Sequence, residues 1–267
     1  MIQIQNLVKT FGDVIAVDNV SFQIDQPQMI GVIGRSGAGK STLLRMINRL
    51  ETASSGSVSV DGRNVLALKG KHRRDWQRSC AMIFQQFNLV PRLDVLTNVI
   101  LGRANQLPLM RSLLKLFTPD ERYEALDFLN RFGLVETALQ RAETLSGGQQ
   151  QRVAICRAMM QRPQMLLADE PIASLDPLNA RLVMEALATI SKQEGISVLC
   201  NLHTLDTARH YCDRVIGMRD GQIVFDDTPE KLTDEVARDI YGAEADEAFE
   251  ASVTSTSLGE SPIRQAG

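Results

Sequence analysis

Several things are missing from this sequence, and each absence closes off a class of protein. No apolar run approaches the roughly 20 residues that a bilayer-spanning helix needs, so any membrane role is expected to be peripheral. Basic charge is not in surplus: Lys and Arg number 29 against 32 Asp and Glu. The resulting net charge of −3 argues against wholesale nucleic-acid binding, whose electrostatic sign is a basic surface. The four cysteines, Cys80, Cys156, Cys200 and Cys212, are widely spaced, form no CxxC pair and follow no secretory segment. Reduced, buried thiols are therefore the expectation. What remains is the composition of a soluble globular protein, 44% hydrophobic and 23% charged over 267 residues. That length suits one large domain or two smaller ones, with a core that needs no covalent staple.

Two kinds of strand signal are present. IQIQNLV, AVDNVSFQID and SVSVDGRNV alternate apolar and polar residues, the last with an Asp61-Gly62 turn, as exposed antiparallel strands do. MIGVIG, MLLAD and ISVLCN are short continuous apolar runs, the mark of strands buried on both faces of a parallel sheet. With helical stretches between them, an α/β core flanked by a small antiparallel sheet follows. Between about residues 86 and 160 strand signals stop. There TPDERYEALDFLNRFG predicts a helix with Thr118 as N-cap, Pro119 at its first position, Glu121 closing a capping box and Gly133 as its stop. This stretch reads as a helical subdomain. RDGQIVFD predicts a hairpin, KGKHRR (69–74) a solvated loop, and the acidic, then Ser/Thr-rich tail from Ala243 a disordered end.

GRSGAGKS follows one apolar run and precedes the helix-like STLLRMINRL, which is the context that turns G-x-x-x-x-G-K-[ST] into a phosphate-binding loop rather than a glycine-rich turn. Gly34, Arg35, Ser36, Gly37, Ala38 and Gly39 would wrap phosphates with backbone N–H groups. Lys40 would charge-pair the β/γ oxygens, and Ser41, followed by Thr42, would offer a hydroxyl to Mg²⁺. MLLADEP ends in two carboxylates. If the strand runs through both, they face opposite ways, so Asp169 is assigned to Mg²⁺ and Glu170 to the attacking water as general base, with Pro171 helping to end the strand. A second anion feature stands about a hundred positions from the first: LSGGQQQR, where Ser146, Gly147, Gly148 and Gln149 open a helix whose N–H groups are free. Ser146 also suits a plain helix cap over Val153, Ile155 and Ala158.

The ordered set of GRSGAGKS, LSGGQ (145–149), LLADEP (166–171), SLD (174–176) and His203 resembles the ATP-binding subunit of ABC transporters over about residues 1–242. The resemblance implies a P-loop NTPase core with an antiparallel β subdomain and an inserted helical subdomain at about 86–160, the tail 243–267 lying outside. It also explains two phosphate features in one chain. Such subunits form head-to-tail dimers, each ATP lying between one subunit's P-loop and the LSGGQ of the second copy.

Residue by residue, Phe11 matches the aromatic that stacks on adenine, an edge aromatic being the alternative. Gln85 matches the glutamine that senses the metal and γ-phosphate, Asp176 the aspartate that crosses the dimer interface, and His203 the histidine that contacts the γ-phosphate or attacking water. His72 and His210 match nothing of the kind. The flanks NLHTLD depart from the Thr-His-Asp-like sequence of many relatives, a departure catalysis should survive. ADEPIASLDP, CNLHTLDTARHYCDRVIGMRDGQIVFD and PRLDVLTNVILGR narrow the resemblance to phosphonate import ATP-binding proteins. This implies integral membrane permease subunits as partners, a periplasmic phosphonate-binding protein indirectly, and a peripheral place at the cytoplasmic face of the inner membrane. RANQLPLMRSLLKLF (103–117) either packs within the helical subdomain or touches the permease. An importer of phosphite or a polar amino acid is the nearest rival. A soluble ABC ATPase acting on DNA or ribosomes is the more distant one, disfavoured because coiled-coil heptads and a second cassette are both absent.

Overall fold

The structure is a computed structural model that describes residues 1–108, 110–111 and 114–242. The expected tail 243–267 lies outside the described residues, as do parts of the 103–117 segment. In chain order the elements begin with strands β1 (Ile2–Phe11), β2 (Val14–Ile24) and β3 (Met29–Ile33), then helix α1 (Lys40–Asn48) and strands β4 (Ser55–Val60) and β5 (Arg63–Asn64). Helix α2 (Gly70–Ser79), strand β6 (Cys80–Ile83) and helices α3 (Val95–Ile100), α4 (Pro119–Arg131) and α5 (Gly147–Met159) follow. The rest comprises β7 (Met165–Asp169), α6 (Pro177–Glu194), β8 (Ser197–Asn201), α7 (Leu205–Tyr211), β9 (Arg214–Arg219), β10 (Gln222–Asp227) and α8 (Asp234–Tyr241).

The alternating segments form a four-stranded antiparallel sheet in the order β2-β1-β4-β5, and the apolar runs form a six-stranded sheet in the order β10-β9-β3-β8-β7-β6. In the larger sheet β6, β7, β8, β3 and β9 are parallel, and β10 closes the edge antiparallel to β9. Every residue of β3, β7 and β8 is buried, and successive residues serve two cores. Ile30, Val32, Leu167 and Leu199 pack with Leu43, Leu44 and Ile47 of α1 and with the antiparallel sheet. Met29, Ile33, Leu166, Ala168 and Val198 face the other way, onto Ile155 of α5, Leu187 and Ile190 of α6 and Ile240 of α8. Burial on both faces is why these strands read as unbroken apolar runs, each large side chain contributing about 1.5–3 kcal/mol.

A third core joins Val95, Val99 and Ile100 of α3, Leu129 of α4, and Val153 and Cys156 of α5. Helix α5 thus serves as a shared wall, with Ile155 turned to the sheet and Val153 to the helices. Thr118 caps α4 with both halves of the capping box present. KGKHRR departs from expectation, because most of it lies on α2 rather than in a loop. That helix buries only Trp76, whose indole N–H donates to the Ile47 carbonyl at 2.8 Å, and its basic first turns stay in water. All four cysteines are buried and free, and burial pushes each thiol upward. Among the described residues no helix is long and apolar enough to cross a membrane.

Candidate active site

Three chain segments leave the C-terminal ends of adjacent parallel strands β3, β7 and β8, the edge where open α/β sheets bind ligands. The first is GRSGAGKS. Its glycines are dictated by backbone geometry: Gly34 has φ 144° and a Cβ there would lie 2.1 Å from the Met218 carbonyl, while Gly39 has φ 98° and would meet the Ala16 carbonyl at 2.1 Å. The loop can therefore lie flat against β2 and β9 only with hydrogen at both positions. Lys40 opens α1 and is buried, its Nζ donating to the carbonyls of Gly34 (2.6 Å) and Arg35 (2.9 Å), so the ammonium sits inside the curve of its own loop. Arg35, Ser36 and Gly37 are exposed on the rim, Ala38 is buried beneath it, and Thr42 is half-buried on the first turn of α1. The N-terminal end of α1 adds positive potential there.

Ser41 Oγ donates to Asp169 Oδ1 at 2.7 Å, and Arg45 reaches Asp169 Oδ2 at 3.3 Å. A residue that sequence reasoning passed over completes this group. Asn201, the fully buried last residue of β8, donates from Nδ2 to Asp169 Oδ1 (2.9 Å) and to Ser41 Oγ (3.2 Å). Its Oδ1 is buried without a partner. The available signal was an amide ending the apolar run ISVLC at the sheet's ligand edge.

The strand does not continue through both carboxylates. β7 stops at Asp169, and Glu170 turns into the left-handed region at φ 53°. The two side chains diverge because the backbone bends, not because of strand alternation, and the bend is an uncommon conformation for a non-glycine residue. Glu170 Oε1 then lies 2.8 Å from Nε2 of His203, which follows β8 by two residues with its side chain about half exposed.

The remaining sequence-predicted positions gather on other elements. Ser146 caps α5, accepting from Gln149 N at 3.3 Å while the Gln149 side chain accepts from Ser146 N at 3.0 Å. Gly147 lies against Leu175 and Phe87, and a Cβ on Gly148 would collide with the Asn179 side chain, 2.1 Å from its Oδ1. Close packing on α6 is thus one reason for the second glycine. Asp176 caps α6 through Asn179 N (3.0 Å) and Asn179 Nδ2 (2.6 Å), and these bonds hold its carboxyl below the usual range. Gln85 is exposed on the loop after β6 and makes none of the polar contacts around Asp169. That loop is tied instead by Arg157 of α5, which donates to the Phe87 (2.9 Å) and Asn88 (2.5 Å) carbonyls, its burial lowering the guanidinium's proton affinity. Phe11 ends β1, paired with Val14 and 48% exposed, with the Lys9 ammonium 4.5 Å from its ring centre. One ring face is therefore braced by a cation.

Chemically, the cluster offers a cation, a hydroxyl, a buried carboxylate and a carboxylate–imidazole pair at one sheet edge. The chain matches the ABC transporter family over residues 17–173. It is 61% identical over 259 residues to the Rhizobium johnstonii phosphonates import ATP-binding protein PhnC, covering 97% of this chain and 92% of that one. It is 59% identical over 265 residues to the Rhizobium etli protein of the same name, covering 99% and 94%. Among solved structures, a dimeric post-hydrolysis state of the ATP-binding cassette MJ0796 bound to ADP and Pi superposes with a TM-score of 0.73 at 31% identity, covering 86% of this chain and 99% of that chain.

Proposed function

Because the chain belongs to the ATP-binding subunits of the ABC transporter family, we propose that it hydrolyses ATP to power an importer of phosphonates. The observation that carries the hydrolytic part is the convergence of Lys40, Ser41, Asp169, Glu170 and His203 at one sheet edge. The cargo rests on likeness to the two phosphonate import relatives, since transported solute need not touch this chain. Phosphite or a polar amino acid is the competing cargo, and no nucleic acid is involved.

In this reading the P-loop amides and Lys40 hold the phosphates, with Lys40 exchanging its loop carbonyls for phosphate oxygens. Phe11 stacks on adenine with its other face braced by Lys9. Mg²⁺ suits the residues present. Ser41 and Asp169 supply hard oxygen donors, and the orphaned Asn201 Oδ1 leaves one acceptor in the same cluster unsatisfied. Bound there, with Gln85 as a further contact, Mg²⁺ would neutralise charge on the β and γ oxygens.

Glu170 Oε1 takes the proton from water as the water oxygen bonds to the γ-phosphorus and the bond to the β-bridging oxygen breaks, leaving ADP and Pi. His203, its Nε2 2.8 Å from that oxygen, keeps the carboxylate aimed. A second copy, docked head to tail, brings its Ser146–Gln149 amides to the same γ-phosphate, with Asp176 at the seam, and closure is stable only while that phosphate is present. Permease subunits receive the motion near Gln85 at the cytoplasmic face of the inner membrane, and a periplasmic phosphonate-binding protein delivers the solute.

The test is deletion of the gene in its host, with growth and labelled uptake compared on a phosphonate and on inorganic phosphate as sole phosphorus source. Selective loss on phosphonate, restored by the wild type and not by Glu170→Gln, is the expected result. Undiminished phosphonate uptake in a strain with no second system would transfer the cargo to a rival.

A further inference from the structure

Helix α8 has no part in the assignments above, yet its last residue reaches the centre of the site. The helix is anchored along its length. Thr233 caps it through Val236 N (3.3 Å), and Arg209 donates to the Leu232 carbonyl (2.6 Å) and to Asp234 (3.0 Å). Arg219 of β9 donates to both the carbonyl and the carboxylate of Asp239, each at 2.5 Å. Ile240 fills space that only a glycine leaves: a Cβ on Gly217 of β9 would lie 2.5 Å from its Cδ1. These contacts fix the position of Tyr241, which is 4% exposed.

The Tyr241 hydroxyl donates to the carbonyl of His203 at 3.2 Å. Burial pushes the phenol up to about 12, against a smaller downward pull from the Gly34 backbone. It therefore remains a neutral donor throughout the working pH range. One hydroxyl from a peripheral helix thus holds the backbone of the residue whose imidazole meets Glu170. Strand β8 ends at Asn201, and the Leu202 N–H, donating to Val32 at 2.9 Å, is the last sheet-side bond before the turn. The imidazole itself is half exposed, so the turn holds His203 chiefly by its backbone. A buried tyrosine hydroxyl needs some partner in any case. What points beyond packing is that this partner belongs to the turn whose imidazole faces Glu170.

We propose that Tyr241 is a positioning residue for hydrolysis, its hydroxyl fixing the backbone of the His203 turn to helix α8 so that the imidazole stays on Glu170. The proposal rests on the role given to His203 above. In Tyr241→Phe, which removes only the hydroxyl, kcat for ATP hydrolysis should fall about fivefold, the worth of one ordinary hydrogen bond, with KM for ATP and Tm close to wild type. The chain has three histidines, so ring resonances are readily assigned, and the His203 signal should shift or broaden while those of His72 and His210 stay. Tyr241→Leu, which also loses the ring, should lower Tm, and the contrast with Phe separates packing from positioning. Wild-type kcat together with an unmoved His203 signal in Tyr241→Phe would overturn the proposal, as would kcat that tracks Tm across the two variants. Should His203→Ala hydrolyse ATP at the wild-type rate, the role of His203 fails instead, and the resonance alone then decides whether the hydroxyl holds the turn.

Discussion

Gly37 and Gly39 lie two residues apart, both with positive φ, and the structure separates them sharply. At Gly37 (φ 80°) an added Cβ meets nothing within 4 Å, whereas at Gly39 (φ 98°) it meets a strand carbonyl at 2.1 Å. Alanine at Gly37 should therefore cost only the strain of the left-handed backbone, about 1–2 kcal/mol, lowering Tm by about 2–8 °C in a chain of this size. Alanine at Gly39 carries the same strain plus an overpacking term of about 1–3 kcal/mol, because neither Ala16 in β2 nor the start of α1 is free to yield. The sum, about 2–5 kcal/mol, lowers Tm by roughly 4–20 °C. Relief of the contact needs a shift of about 1 Å at Lys40, enough to weaken a positioned site about 100-fold. Nucleotide-free thermal melts compare the two variants, and titration with a fluorescent ATP analogue reads the displacement at Gly39→Ala. Equal Tm losses, or wild-type nucleotide affinity in Gly39→Ala, would refute the reasoning.

Glu170→Gln should keep ATP binding and slow steady-state hydrolysis by about 10²–10⁴, the usual worth of a general base, as a phosphate-release assay would register. Asn201→Leu removes both bonds to Ser41 and Asp169 together with the orphaned Oδ1. Its Tm should change little, while half-saturation by Mn²⁺ in the presence of ADP, read by electron paramagnetic resonance, rises about 10- to 100-fold. For Asp176→Ala the loss of Tm should be present at neutral pH and shrink in acid. Bonds from Asn179 depress the folded-state carboxyl, so its stabilisation exists above the unfolded value and disappears as pH falls through the folded one. Melts at pH 7 and pH 3 provide the comparison.

How far the sequence carries depends on the range of the interaction. Alternation, apolar runs and the Thr118 capping box are local patterns, and they placed both sheets and helix α4 because local geometry and burial agree. GRSGAGKS was legible for the same reason: its glycines answer to backbone angles within one loop. KGKHRR was misread because high charge suppressed the helix signal, and Trp76, beyond the run, supplies the anchoring contact. The bend at Glu170 was invisible because a left-handed glutamate has no local signature. Asn201 and Tyr241 escaped for a deeper reason. The asparagine meets Ser41 across 160 residues and the tyrosine meets His203 across 38, so only the assembled sheet edge brings them together. Gly148 shows the converse, since the capping pattern marks a helix start without revealing the Asn179 side chain that leaves room for nothing larger.

The central claim is that each chain carries two halves of different ATP sites, completed by a second copy. Light scattering during gel filtration of Glu170→Gln tests it most directly, with ATP and with ADP, alone and combined with Ser146→Arg, which blocks the LSGGQ half without touching the P-loop. The account predicts a dimer with ATP, a monomer with ADP, and a monomer still able to bind ATP once Ser146 is replaced. A Ser146→Arg protein that dimerises with ATP as readily as its parent would contradict it.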